Sequence, residues 1–125
     1  MAVVELTKDN FEEVVTNNEF VIVDFWAPWC GPCRSFSPTY AKVSEDHPDV
    51  VFAKVNTEEV QDIAGHFQIR SIPTLMIFRD KIIIFSEAGA LPESGFRELV
   101  SKAGELDMDE VRRQVAEQSE QQGQA

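Results

Sequence analysis

The chain is poor in cysteine, with only two among 125 residues, three positions apart. Secreted disulfide scaffolds carry many more, spread out to staple loops. A bridge closing so small a ring restricts the unfolded chain little, so this pair is not there for stability. Histidine is scarcer than a metal site needs: His47 and His66 lie too far apart for the usual short spacing of zinc ligands. An iron–sulfur cluster shared between two chains stays open, although nothing calls for one. Basic residues are in deficit, 11 against 22 acidic, for a net charge of −11. That argues against nucleic acid and against anionic lipid surfaces, and reads first as solubility and self-repulsion. No apolar run approaches the ~18 residues that cross a bilayer. No basic region followed by an apolar block opens the chain, which leads us to expect a cytoplasmic protein. There is no internal repeat and no Gly-rich dinucleotide fingerprint, so no nicotinamide, flavin or other cofactor is expected.

What is present suffices for one domain: 43% hydrophobic residues in an ordinary soluble composition. Val3 to Leu6 alternates as a short edge strand. Thr7 is the expected cap of a helix from Lys8, with Asn10 as its rival, and Phe11, Val14 and Val15 fall on one face. Phe20 to Trp26 is a β-branched and aromatic run of the kind buried on both faces. A helix is expected from about Cys30 to Asp46, since Pro32 suits a first turn, with a kink at Pro38. Asp49 to Asn56 reads as a strand and Glu58 to Phe67 as a helix capped by Thr57. Leu75–Phe78 and Ile82–Phe85, split by Arg79-Asp80-Lys81, read as an antiparallel hairpin, and Gly89 breaks its second strand. A last helix runs from Pro92 to about Ala103, with Gly104 as its stop. Phe11, Phe25, Phe52, Phe78 and Phe96 are core residues, and Trp26 is assigned to the core rather than to a contact surface. The order β-α-β-α-β-α-β-β-α implies an α/β fold, a mixed central sheet with helices on both faces. We place the domain at residues 1–104. Residues 105–125 form an extension, with a thin stripe of Met108, Val111 and Val115 on one more helix and disorder after Ala116.

Trp29-Cys30-Gly31-Pro32-Cys33 carries the chemistry. Disulfide exchange needs a thiolate that attacks and a second thiol that resolves the mixed disulfide. At a helix start the first sulfur meets unpaired backbone N–H groups and the positive end of the dipole, and the second lies one turn deeper. Cys30 is then the nucleophile and Cys33 the resolver. Asp24 lies in an apolar strand, where a carboxylate is expensive unless paired or functional.

The segment Asp24-Phe25-Trp26-Ala27-Pro28-Trp29-Cys30-Gly31-Pro32-Cys33, with Pro38 and Ile72-Pro73-Thr74, closely resembles thioredoxins, over roughly residues 3–104. The resemblance implies the thioredoxin fold and a protein-disulfide reductase. It implies that Asp24 is the general base for Cys33 and that Lys54 is associated with Asp24; a strand lysine that snorkels to solvent is the rival reading of Lys54. It implies a cis peptide before Pro73, in a loop that faces the sulfurs and receives an extended substrate. Trp29, Gly31, Pro32, Ile72, Gly89 and Ala90 would surround the sulfurs as an open apolar apron, although Gly89 also reads as a plain positive-φ position. The implied partners are protein disulfides and an NADPH-dependent thioredoxin reductase, with no nucleic acid and no membrane; a monomer is expected. An oxidase or isomerase on the same fold, and a binding subunit, stay open as alternatives. The hairpin departs from the family by lacking glycine, so a longer or differently shaped turn is expected.

Overall fold

A computed structural model describes residues 3–121. Ten elements follow in order: β1 (Val3–Glu5), α1 (Phe11–Thr16), β2 (Phe20–Trp26), α2 (Gly31–Glu45), β3 (Val51–Asn56), α3 (Gln61–His66), β4 (Thr74–Arg79), β5 (Ile82–Ala88), α4 (Glu93–Glu105) and α5 (Met108–Gln121). The five strands form one sheet in the order β1-β3-β2-β4-β5. β1, β3 and β2 are mutually parallel, whereas β4 runs antiparallel to β2 and to β5. This is the expected mixed sheet.

The double-faced burial of β2 follows from side-chain alternation along a strand. Val21, Val23 and Phe25 point into one core with Val15, Ala53, Val55, Ile63, Met76 and Phe78. Ile22 points to the other face, into a core with Phe36, Tyr40, Val43, Phe52, Leu75, Ile77, Phe96 and Val100. Thus α1 and α3 cover one face, and α2 and α4 the other. The Tyr40 hydroxyl lies 2.7 Å from the Ala53 carbonyl and 2.9 Å from the Ile22 carbonyl, so it is satisfied where α2 meets β2 and β3. Phe11 is half-buried against the first core; the other four phenylalanines assigned to the core are buried.

Several boundaries differ from the expected ones. α1 begins at Phe11 with Asn10 at its N-cap position; Thr7 closes the turn ahead of it, its Oγ1 accepting from the Asp9 N–H at 3.2 Å and its N–H donating to Asn10 Oδ1 at 2.6 Å. α3 begins at Gln61, because Thr57 donates both its N–H and its hydroxyl to the Trp26 carbonyl, at 2.8 and 3.0 Å, tying β3 to the end of β2. The hairpin turn is short: Asp80 and Lys81 both take positive φ, 52° and 70°, and form a two-residue link without glycine. Gly104 does not stop α4, which continues to Glu105. The extension is helical beyond Ala116, through Gln121. Asp107 caps this helix by accepting from the N–H groups of Asp109 and Glu110, and Met108 is buried. The last four expected tail positions, 122–125, lie outside the described residues.

Candidate redox site

β2 ends at Trp26, and the turn from Ala27 leads into α2, with Cys30 as its N-cap residue and Pro32 in the first turn. Cys30 and Cys33 are joined by a disulfide, with Cα atoms 5.2 Å apart. Both are buried, at 5% and 2% exposure. The Cys33 N–H points at Cys30 Sγ from 3.2 Å, so a thiolate on Cys30 would accept it at the positive end of α2. The Ile72–Pro73 peptide is cis. The Ile72 carbonyl oxygen stands 3.7 Å from Cys30 Sγ, which brings the start of β4 against the sulfurs.

Around this pair Trp29 is 65% exposed, and Gly31, Pro32, Gly89 and Ala90 are exposed as well. Ile72 is half-buried against Ala27 and the two cysteines, and Pro73 is buried. Gly89 has φ of 115° and donates its N–H to the Pro73 carbonyl at 2.7 Å, which closes the loop around that proline.

Behind the disulfide, Asp24 is buried at 4% exposure on the α2-covered face of β2. Its cross-strand partner in the register is Lys54. A cleft of about 270 Å³ joins Asp24 to Cys33 and is further lined by Trp26, Arg34, Ser37, Pro38 and Lys54. Asp24 Oδ1 has no hydrogen-bond partner among the described residues. Burial pushes its carboxyl up to about 7, and the Lys54 ammonium pulls the other way. Lys54 Nζ lies 4.9 Å from the Trp26 ring centroid, so its charge rests partly on an aromatic face.

Trp26 is therefore more than core filling. It is half-buried, its Nε1 is buried without a partner among the described residues, and it forms a wall of the cleft. Its two-residue spacing from Asp24 on one strand was the available signal, since both side chains then share a face. Arg34 is the other residue that sequence reasoning missed: its guanidinium donates to the Pro28 carbonyl at 2.9 Å and braces the active-site turn. Among the described residues no group of three or more His, Cys, Asp or Glu could hold a metal ion.

The family model for thioredoxin matches residues 2–102. The chain belongs to the thioredoxin family. A putative thioredoxin 2 of Streptomyces coelicolor is 55% identical over 120 residues, 96% of this chain and 90% of that one. The thioredoxin of Pyropia yezoensis is 42% identical over 104 residues, 82% of this chain and 97% of its own length. The structure of a mutant thioredoxin from Halobacterium salinarum superposes with a TM-score of 0.77 at 28% identity, covering 83% of this chain and 92% of that one. As a thioredoxin-family protein with its two cysteines bonded in C-x-x-C, the chain is a thiol–disulfide oxidoreductase acting on protein disulfides.

Proposed function

We propose that the chain works as a reductant, and that Cys30, Cys33, Asp24 and Lys54 divide the chemistry between them. Reduced Cys30 attacks a target disulfide, bonds to one target sulfur and releases the other as a thiolate. Asp24 takes the proton of Cys33. The Cys33 thiolate then attacks Cys30 Sγ, expels the second target thiolate and closes the Cys30–Cys33 disulfide. Two electrons have passed to the target. Lys54 holds a positive charge beside Asp24 and favours its ionised form. Trp29, Gly31, Pro32, Ile72, Gly89 and Ala90 receive the target, whose extended backbone lies along the Pro73 loop.

The observation that carries this reading is the cleft joining Asp24 to Cys33 rather than to Cys30. A carboxyl at about 7 exchanges protons near neutral pH, and it borders the sulfur that must lose one. We propose further that a separate NADPH-dependent reductase restores the dithiol, that the chain thereby serves electron transport in the cytoplasm, and that it works as a monomer. No helix among the described residues is long and apolar enough to cross a membrane.

The test is the reduction potential of the pair in a glutathione or dithiothreitol series, together with trapping by Cys33→Ser. A potential near about −270 mV and stable mixed disulfides on Cys30 are expected. A potential at or above about −180 mV would mark an oxidase or isomerase instead.

A further inference from the structure

The charge of this molecule is unevenly placed along its strand axis. No acidic residue occurs from 25 to 44 or from 63 to 79, although 22 are present in the chain. These two runs contain the segments that meet at the sulfurs: the turn and start of α2, and the loop into β4. The third segment at the site, Ala88 to Pro92, is uncharged. The exposed charges the runs place beside the site are Arg34 and Arg70. Arg34 is fixed on the active-site turn by its bond to Pro28. Arg70 stands two residues before Ile72, whose carbonyl touches Cys30 Sγ. Lys54 adds a third cation, at the cleft.

The other end of the sheet holds more acid, although Arg97 pairs with Asp46 there and Arg112 with Asp80. Glu19, Glu45, Asp46, Asp49 and Asp80 gather where β2 and β3 begin and β4 ends. Glu58, Glu59 and Glu87 are exposed acids at the sulfur end; the first two follow β3, on the side of β2 away from β4, and Glu87 stands on β5 opposite Leu75. A body of net charge −11 thus offers an acidic partner its least repulsive approach through the disulfide. We infer that Arg34 and Arg70 select, among protein disulfides, those flanked by aspartate or glutamate on the segment that docks beside Pro73. This rests on the reductant reading above and adds a substrate class to it.

Two peptides with the same internal disulfide, one flanked by aspartates and the other by lysines, test the selection. The reduced protein is mixed with each at about 0.01 M and about 1 M salt, between which the screening length falls from about 30 to about 3 Å. The ratio of the two second-order rates is read, because it cancels changes in thiolate reactivity. At low salt the acidic peptide is expected to react about tenfold faster, within the range that steering supplies, and the ratio should approach one at high salt. Arg70→Glu, which leaves the Pro28 brace intact, should bring the low-salt ratio down severalfold, and adding Arg34→Glu should invert it. Equal low-salt rates, or a preference for the lysine peptide, would overturn the selection while leaving the reductant standing. Failure to reduce either peptide would remove the reductant reading and this inference with it.

Discussion

Asp24 is held in the fold at a standing disadvantage. Its carboxyl is raised from 3.8 to about 7, chiefly by burial, so the folded chain prefers it neutral. Below the ordinary carboxylate value it is protonated in both states and costs nothing. Between about pH 4 and 7 the unfolded chain gives up this proton and the folded chain keeps it, so stability falls as pH rises. Above about pH 7 the penalty is complete, of order 4 kcal/mol for a shift of this size. Asp24→Asn should therefore leave urea stability of the oxidised protein nearly unchanged at pH 4 and raise it by several kcal/mol at pH 8.5. In a thiol-trapping assay the same variant should slow closure of the Cys33 disulfide. A stability gain of equal size at both pH values would mean that packing, not charge, sets the effect. The position of Asp24 within an apolar run made its anomaly legible from the residues alone. The strand spacing that joins it to Trp26 was equally present, but the size and hydrophobicity of tryptophan favoured a core assignment. Arg34 gave no sign, because a cation at a helix surface is ordinary until its partner, the Pro28 carbonyl, is seen.

At the level of elements, periodicity located every strand and helix of the domain, and competition for caps decided where they began. Thr7 and Thr57 are good N-cap types, yet each is engaged elsewhere, so α1 and α3 start three residues after the expected positions, at Phe11 and Gln61. The partner of Thr57 is a strand end distant in the chain, which no local pattern reports, whereas that of Thr7 is Asn10, three residues on. The end of α4 has a related cause: Arg79 donates to the Ala103 carbonyl at 2.5 Å, which satisfies the helix end from β4 and leaves Gly104 free to stay helical. Gly89 is the glycine whose conformation matters for the site. With φ of 115° it lies where other residues are strained, and a Cβ there would meet nothing within 4 Å. Gly89→Ala should therefore cost about 1–3 kcal/mol through the backbone alone. Gly31 is equally open but without positive φ, so Gly31→Ala should be near neutral in the same urea titration. Equal losses at the two sites would show that Gly89 matters for something other than its backbone.

For the whole molecule, the question is what α5 adds to a domain whose cores close without it. Among the described residues, no core cluster contains one beyond Ala103. The helix sustains itself with ion pairs one turn apart, Arg112 to Asp109 and Arg113 to Glu110 and Glu117. It reaches the body through buried Met108 and through Arg112, which pairs with Asp80 at 2.6 Å. Asp80 belongs to the positive-φ turn and donates its N–H to the Glu19 carbonyl, so α5 clamps the hairpin where β2 begins. The redox pair lies past the other end of β2, whose seven residues span about 22 Å. Removing residues 106–125 should then lower stability by about 1.5–3 kcal/mol for Met108, with little more from the solvent-screened Arg112–Asp80 pair. The reduction potential should not move, because α5 meets the body at Met108 and at Asp80, by the end of β2 opposite the cysteines, and screening removes its charge at physiological salt. Urea unfolding and a redox titration of the truncated and full chains separate the two effects. A potential that shifts while the fold survives would couple the extension to the active site across the length of β2; an unchanged potential with reduced stability would make α5 a brace for the distant pole alone.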